Sequence, residues 1–490
     1  MPRWIIPAVL ALIVLARSAV FVFAPASHFD SDQAVTGLMA KHLSELRAFP
    51  VFWYGQTYML AVEAWLAAPV MAVLGASATA LKLPLLAINI AVALLLFQAF
   101  TRDAGVPPRN AAFATLFFVL AAPITAAHYL TANGGNVEPC LYILVLWTLR
   151  RRPVPLGLAL GIGFLNREFT IYGIAALLAL EAAARTLFTR ARLRQYAITF
   201  ATAAAVWIGV LVLRHYSSAA GPGTSTADLA NTLASNNLLQ VAERLCFDPR
   251  AIALGAGRLL TVHAPELFGL EPQPLTDFGI ESVTRQGLPG SAWLLLLVAG
   301  LPIVRLAFMR RRLPRTPDVD FCAYLVAVAV FSLAGYVAGR CGVIDFYTMR
   351  YELLSVLGMC GLAAWYLRTE RSRPLRILWT ASAVIVLAVS AVAHVRLAAE
   401  YATAPLEPLK QELIRALDAR GVRYAYADYW TAYYVTFMTR ERIIVASTAV
   451  VKVRTHNREV DAHRGEAIRI GRSPCAGGEQ LTRVFWACPP

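Results

Sequence analysis

Charged residues are scarce in this chain, at 15% of its 490 residues, whereas 58% are apolar. Soluble domains carry about one charged residue in four, so an ordinary soluble domain is excluded. Lysine is nearly absent, since 41 of the 45 basic residues are arginine. The seven cysteines include no CxxC pair and no Cys/His metal spacing, which excludes zinc ribbons and thioredoxin-like chemistry. The composition is that of a polytopic membrane protein.

Basic residues exceed acidic ones by 45 − 30 = 15, and they occur in short clusters between long apolar runs. This pattern sets membrane orientation and argues against nucleic acid as a partner. We predict an all-α polytopic protein of about eleven transmembrane helices, multi-pass in a bacterial inner (plasma) membrane, with a cytoplasmic N-terminus. The predicted spans are 4–24, 82–100, 110–128, 138–149, 154–166, 169–184, 196–214, 291–309, 321–338, 351–367 and 377–395.

Residues 1–395 then form a membrane module with two outer loops, 25–81 and 215–290, and residues 396–490 form a small extracytoplasmic α/β domain. In that domain, one amphipathic helix and three strands are predicted, at 407–420, 423–427, 442–446 and 468–470. Cys475 and Cys488 both fall there, where oxidising conditions permit a disulfide. The apolar segment 58–75 carries Glu63, so we interpret it as a lateral or re-entrant helix, with a full span as the alternative.

Polar residues collect where the predicted spans meet the outer side. Asp30 and Asp32 follow the first span, separated by one serine. Such a pair can share a cation, or one carboxylate can act as a base while the other orients it. The alternative is that Asp30 caps the helix that follows, because aspartate is a favoured N-cap residue.

Two further clusters contain arginine. Asn166, Arg167 and Glu168 interrupt an apolar stretch and must sit at a boundary or line a polar cavity. A second cluster, in the loop before the tenth span, runs against the positive-inside bias and suits a phosphate oxygen. Its members are Arg340, Asp345, Arg350, Tyr351 and Glu352. The alternatives are an internal Arg167–Glu168 pair and salt bridges of the second cluster's arginines with Asp345 and Glu352.

Four uncharged or weakly basic residues are weaker candidates for a substrate pocket. They are Tyr54, Gln56, Tyr58 and His128. Aromatic residues at a membrane interface often only anchor a helix, and His128 also fits an ordinary hydrogen-bonded turn. Together the clusters describe a site for a substrate that is part lipid and part polar.

Three segments of the N-terminal region carry a family resemblance: FDSDQA at 29–34, PVFWYGQTYM at 50–59 and EAWLAAP at 63–69. They resemble bacterial members of the type C glycosyltransferase superfamily, including relatives of the protein O-mannosyltransferases and the RgtA/B/C/D-like family. Arg350-Tyr351 and the run YWTAY at 429–433 add weaker support. In that superfamily an acidic motif opens the first outer loop, and Asp30 is the matching position, with Asp32 second.

The resemblance implies a polyprenyl-phosphate sugar donor, an inverting transfer outside the cytoplasm, and a lipid, glycan or protein acceptor. Asp30 would be the base, with Asp32 and Glu63 orienting or binding the acceptor, and Arg350, Arg167 and Tyr351 would hold the donor phosphate. A divalent cation, Mg²⁺ or Mn²⁺, is compatible with Asp30 and Asp32 as ligands. Related lipid A sugar transferases carry a Glu-Lys-Pro motif where this chain has Gly55-Gln56-Thr57, so an arginine would have to replace that lysine.

A transporter or flippase for lipid-linked sugars is the alternative function, for which intramembrane charge would be a conduit. A flippase should show polar residues at the midplane, whereas the spans 82–100, 291–309 and 377–395 are almost uninterrupted. A non-catalytic scaffold is the third interpretation, and it predicts that Asp30 and Arg350 are dispensable.

Overall fold

The computed structural model describes residues 4–24, 28–226, 248–270, 291–309, 319–339, 346–403 and 408–489. The N-terminal helices are α1 Ile5–Phe23, α2 Ser31–Ser44, α3 Val62–Leu74, α4 Ala78–Arg102, α5 Pro108–Val119, α6 Pro123–Tyr129, α7 Glu138–Leu149, α8 Pro153–Asn166, α9 Ile171–Ala183 and α10 Arg190–Leu213. The helices that follow are α11 Pro249–Arg258, α12 Ala264–Leu267, α13 Leu301–Met309, α14 Phe321–Gly339, α15 Ser355–Thr369 and α16 Arg373–Thr403. A 3₁₀ segment, Phe346–Glu352, precedes α15. Arg340 and Asp345 lie outside the described residues.

Five of the described helices are long and apolar enough to cross a membrane: α1, α4, α10, α14 and α16. The other predicted spans form shorter helices, so the count of eleven stays a prediction. The expected span 110–128 is not one continuous helix: α5 and α6 are together apolar enough to cross a membrane, but they meet at an angle of 81°. Pro123 begins α6 and Ala122 before it is extended, since proline lacks the N–H that a continuous helix needs and disfavours helical backbone in the preceding residue.

The α3 helix, which covers the apolar segment of uncertain topology, has 13 residues. At 1.5 Å per residue it is about 20 Å long, well short of the roughly 30 Å hydrocarbon core. This length favours the lateral or re-entrant interpretation over a full span.

Arg17 is buried in the middle of α1 and ties three helices together. Its guanidinium donates to Asn89 Oδ1 on α4 at 2.6 Å and to the Phe118 carbonyl on α5 at 3.0 Å. It also stacks over the rings of Phe118 and Tyr129, at 5.3 and 5.5 Å. A charge in an apolar helix is expensive unless it is partnered, and these contacts supply the partners.

The C-terminal residues form the α/β unit that the sequence predicted. Its helices are α17 Leu409–Ala419, α18 Tyr429–Met438 and α19 Arg454–Ala462, and its strands are β1 Tyr424–Ala427, β2 Ile444–Ser447, β3 Ile468–Gly471, β4 Glu479–Gln480 and β5 Trp486–Cys488. The strand order is β2-β1-β3-β5-β4, with β1 parallel to β2 and β3. The predicted Cys475–Cys488 disulfide is confirmed, and it closes the β3–β5–β4 side of the sheet.

The α/β unit packs directly on α2, the helix that follows the acidic motif. The Phe437 ring of α18 lies 2.5 Å from the position that a Cβ on Gly37 would occupy, so only glycine permits this approach. Phe437 also stacks on Phe29, with ring centroids 5.4 Å apart. The docking of α18 on α2 therefore fixes the C-terminal strands relative to Asp30 and Asp32.

Candidate active site

Asp30 stands at the N-terminus of α2, and its Oδ1 accepts a hydrogen bond from the Gln33 amide at 2.9 Å. The helix cap considered for this residue is thus present. The cap uses one carboxylate oxygen, and within the described residues no donor is bonded to Oδ2. Burial and the neighbouring Asp32 raise the pKa of Asp30. A carboxylate with one free oxygen and a raised pKa has the properties of a general base.

Asp32 is bound by the C-terminal unit. The Tyr429 hydroxyl donates to its Oδ1 at 2.5 Å, and burial together with Asp32 raises the pKa of Tyr429 well above its ordinary value. Between the two aspartates, the Ser31 hydroxyl donates to the Trp430 carbonyl at 2.8 Å. The acidic motif therefore forms one wall of a site whose other wall is the start of α18.

Three of the four lysines of the chain act electrostatically on the two aspartates, although they are far apart in sequence. Lys82 and Lys410 lie close enough to lower the pKa of Asp30, Lys452 interacts electrostatically with Asp32, and Lys41 binds Glu441. Because 41 of the 45 basic residues of the chain are arginine, lysines grouped beside Asp30 and Asp32 are unusual.

Lys452 lies beside Gly55, the first residue of the segment that replaces the Glu-Lys-Pro motif. A Cβ at Gly55, whose φ is +73°, would lie 2.8 Å from Lys452 Cδ, and the Lys452 Nζ sits 4.9 Å from the centre of the Trp53 ring. Burial lowers the pKa of Lys452, and Asp32 opposes that shift. No described carboxylate lies within ion-pair distance of Nζ. A lysine from the C-terminal unit thus reaches the place where the motif lysine was missing.

Arg350, Arg167 and Tyr351, the residues expected to hold the donor phosphate, lie next to one another. The guanidinium carbons of Arg167 and Arg350 lie 5.7 and 5.3 Å from the centre of the Tyr351 ring. Burial acts to lower the pKa of Arg350, but Tyr351, Asp32 and Asp30 together raise it. The Nε atoms of both arginines are buried, and neither has a hydrogen-bond partner among the described residues. These donors are placed to receive an anion.

The two salt-bridge alternatives for these arginines are not found among the described residues. Arg167 donates to the Gly134 carbonyl at 3.3 Å and forms no ion pair with Glu168. Glu352 binds the Nδ1 of His263 and leaves Arg350 to face the aspartates. Asp345, the other suggested partner, lies outside the described residues.

Glu63 stabilises the Gly134–Gly135 turn, which contacts Arg167. Its two oxygens accept from the amides of Gly134 and Gly135 at 2.7 and 2.9 Å, and both glycines have positive φ. The Cβ of Arg167 packs 3.3 Å from the Cβ position of Gly135. Within the described residues Glu63 bonds to neither Asp30 nor Asp32. Glu63 therefore positions the turn that contacts Arg167, and its role in orienting or binding an acceptor stays a prediction.

The four weaker candidates for a substrate pocket differ in burial and in their neighbours. Tyr54 is fully buried, and its hydroxyl lies 3.1 Å from His42 Nδ1. Gln56 and Tyr58 are half-buried in the segment beside Lys452. His128 is buried, within reach of the charges of Arg350 and His263.

A second cluster, the Glu441 cluster, joins α2 to the C-terminal unit and consists of Glu441, Lys41, His42 and His456, which have little exposure, and the exposed Arg47. Glu441 Oε1 lies 2.8 Å from His42 Nε2 and 2.9 Å from His456 Nε2, and its Oε2 accepts from Lys41 and Arg47 at 2.5 and 2.8 Å. Burial acts to raise the pKa of Glu441, but hydrogen bonds from His42, His456 and Arg47 hold it well below its usual range. Glu441 and Arg440 before it both adopt left-handed backbone, at φ 65° and 56°.

The Glu441 cluster contains side chains of the types that bind metal ions. His42, Glu441 and His456 are the group of three potential ligands found among the described residues, whereas Asp30 and Asp32 gather no third one there. Lys41 and Arg47 already neutralise Glu441, and a divalent ion would add two further positive charges. The arrangement fits an ionic clamp between α2 and the C-terminal unit, and metal dependence at the aspartates stays a prediction.

The sequence alone did not identify the contributions of the C-terminal unit. Tyr429 entered only as part of a weak motif, and Lys452 and Glu441 carried no motif at all. The rarity of lysine in an arginine-rich chain was the one signal that could have singled out Lys452.

No protein-family profile and no curated protein sequence matches this chain. Seven chains of solved structures are similar to this one, including the following two. One is the apo form of an oligosaccharyltransferase from Archaeoglobus fulgidus, with a TM-score of 0.52 and 12% identity over 96% of this chain and 70% of that one. The other is ArnT from Cupriavidus metallidurans bound to undecaprenyl phosphate, with a TM-score of 0.56 and 13% identity over 98% of both chains. The chain therefore has the type C glycosyltransferase fold that the sequence resemblance implied.

Proposed function

We propose that this protein is an integral-membrane glycosyltransferase that moves a sugar from a polyprenyl-phosphate donor to an acceptor hydroxyl outside the cytoplasm. One observation carries the proposal: Asp30, with a free carboxylate oxygen, shares an electrostatic site with Asp32, Arg350 and Lys452 beside apolar helices. Such a site suits a donor that is anionic at one end and lipid at the other. The similar ArnT structure holds undecaprenyl phosphate, which is a ligand of this class.

The transfer is a single displacement. The acceptor hydroxyl gives its proton to Asp30 Oδ2, and its oxygen forms a bond to the anomeric carbon. The bond from that carbon to the phosphate oxygen breaks, and polyprenyl phosphate leaves with the electron pair. Attack from the face opposite the leaving group inverts the sugar carbon.

The developing charge on the leaving phosphate is stabilised by cations that are fixed before the reaction. Arg350 and Arg167 present planar donor groups beside the ring of Tyr351, and Lys452 adds a point charge from the C-terminal unit. Such preorganised donors act strongly where water is excluded. Tyr429 holds Asp32, which keeps the second carboxylate in place beside the base.

The basic clusters orient this site to the outer face of a bacterial inner membrane. The acceptor is a lipid, a glycan or a protein, and the prediction of eleven spans with a cytoplasmic N-terminus belongs to the same proposal.

The test is Asp30→Asn in purified protein, assayed for transfer from a polyprenyl-phosphate sugar. Asparagine keeps the capping oxygen, so α2 retains its cap. Because the raised pKa means that burial disfavours the charged carboxylate, the substitution should leave stability equal or higher at neutral pH. We expect a loss of rate of about 10² to 10⁴. In the wild type the rate should rise as the pH rises through the pKa of Asp30.

The control is Asp248→Asn, which changes another N-cap aspartate, at the start of α11. This variant should retain transfer, since the exposed Asp248 side chain accepts from the Arg250 amide and belongs to no part of the proposed site. Wild-type transfer by Asp30→Asn would refute the base assignment and leave Asp30 as a helix cap.

A further inference from the structure

A cleft of about 370 Å³ opens at the carboxyl ends of β1, β2 and β3 in the C-terminal unit. Its residues lie in or after the three parallel strands: Asp428 and Trp430 after β1, Thr448 after β2, Arg469 within β3, and Arg472 directly after β3. In open α/β sheets, crevices outside the carboxyl ends of the strands are where ligands bind. Neither the catalytic proposal nor the fold comparison assigns this cleft.

The cleft is positively charged. Arg469 and Arg472 are exposed, and neither has an ion-pair partner among the described residues. The one carboxylate in the lining, Asp428, is committed to the cap of α18, where it accepts from the Trp430 amide at 2.8 Å and from the Thr431 hydroxyl at 2.8 Å. Planar guanidinium groups bind carboxylate and phosphate through paired hydrogen bonds.

Trp430 supplies a flat apolar surface beside these arginines. Its side chain is 49% exposed, although its backbone is fixed at the first turn of α18. An exposed indole in a cleft with cationic groups can stack on the apolar face of a sugar ring while the cations bind an acidic substituent.

The cleft is joined to the proposed active site through two adjacent residues. The Trp430 carbonyl accepts from Ser31, which stands between the two aspartates, and Tyr429 before it binds Asp32. The rings of Tyr429 and Trp430 meet edge to face, with centroids 5.1 Å apart. A molecule held on Trp430 therefore lies next to the wall that carries the base.

We propose that this cleft binds the acceptor and that the acceptor is an anionic saccharide, with a carboxylate or phosphate on the sugar unit in contact with Arg469 and Arg472. The assignment of the ligand as acceptor rests on the proposed glycosyltransferase function. The prediction that the cleft binds an anionic saccharide does not rest on that function, because the cleft is complete without the donor.

The experiment measures binding directly, by saturation-transfer NMR on the purified full-length protein with glucuronic acid, glucose 6-phosphate and glucose as probes. The first two distinguish a carboxylate-bearing from a phosphate-bearing ligand, and glucose tests the need for charge. We expect the anionic probes to bind about tenfold more tightly than glucose, the ratio that one charge-assisted hydrogen bond supplies.

Two variants remove the proposed contacts, and one matched variant does not. Trp430→Ala keeps the amide and carbonyl that bind Asp428 and Ser31, so the fold and the Tyr429–Asp32 contact should remain, and binding should weaken for every probe. Arg469→Gln combined with Arg472→Gln should abolish the preference for anionic probes. Arg464→Gln, an exposed arginine of the same unit outside the cleft lining, should leave binding unchanged.

Equal binding of glucose and the anionic probes would overturn the proposal, as would unchanged binding in the double arginine variant. Inorganic phosphate that competes as well as glucose 6-phosphate would reduce the cleft to a simple anion site and overturn the saccharide assignment. Saccharide binding that persists in Asp30→Asn, with transfer lost, supports both proposals. If the wild type binds the saccharides but transfers no sugar, the proposed glycosyltransferase function is refuted and the proposed saccharide site is not.

Discussion

Glu441→Gln offers the most direct test of how the C-terminal unit is held against α2. The Glu441 side chain is 9% exposed and accepts from Lys41 at 2.5 Å, from Arg47 at 2.8 Å and from the nitrogens of His42 and His456. Glutamine has nearly the same shape but no charge, and its amide places donors where two of these partners also donate. Lys41 and Arg47 would then lose their shared buried counter-charge.

The expected loss in the free energy of unfolding follows from these contacts. Removing one partner of a buried ion pair costs about 3–5 kcal/mol, chiefly because the remaining charge stays buried without compensation. Only Lys41 stays buried, since Arg47 is 45% exposed, and both retain Glu45 at 2.9 Å, so we expect the lower end, about 3 kcal/mol. Since the pKa of Glu441 is held low in the folded state, its contribution is present above the ordinary carboxyl pKa and is lost as the pH falls below it. The difference between wild type and variant should be constant from neutral pH to about pH 4 and shrink in stronger acid.

The assay combines thermal unfolding in detergent with hydrogen–deuterium exchange. We expect a lower unfolding midpoint and faster amide exchange in α2 and α18, the helices that the cluster joins. Glu479→Gln is the matched control, because Glu479 pairs with Arg420 on the exposed surface of the same unit and should show no measurable change. If Glu441→Gln and Glu479→Gln have the same midpoint and the same exchange in α2, the clamp assignment is refuted.

Two further predictions concern the phosphate site and the topology. Arg350→Lys keeps the charge but loses the planar donor group, so transfer should fall by about 10²-fold with an unchanged unfolding midpoint, and wild-type kinetics would show that Arg350 does not bind the phosphate. A single cysteine at Asp418 should react with an impermeant thiol reagent in intact spheroplasts and one at Thr189 should not, whereas the opposite pattern would reverse the orientation and remove the proposed site from the outer face.

The sequence by itself determined the fold class and the position of an acidic motif directly after the first apolar helix. The apolar runs gave the helices, because a span must be apolar along its whole length. The alternation in the C-terminal region predicted β1, β2 and β3, and the acidic motif singled out Asp30 and Asp32. Each of these properties is local: it depends on neighbours within a few residues, and a single chain displays it without an alignment.

Tertiary structure alone decided which distant groups meet the acidic motif. Tyr429 reaches Asp32 across 397 positions, and Glu441 reaches His42 across 399, because α18 docks on α2 through the contact of Phe437 with Gly37. The bend between α5 and α6 and the use of Glu63 to hold the Gly134–Gly135 turn are likewise properties of packing. No sequence periodicity records such contacts, since each depends on how two separately formed elements fit together, and for that reason Lys452 entered the site only once the fold was known.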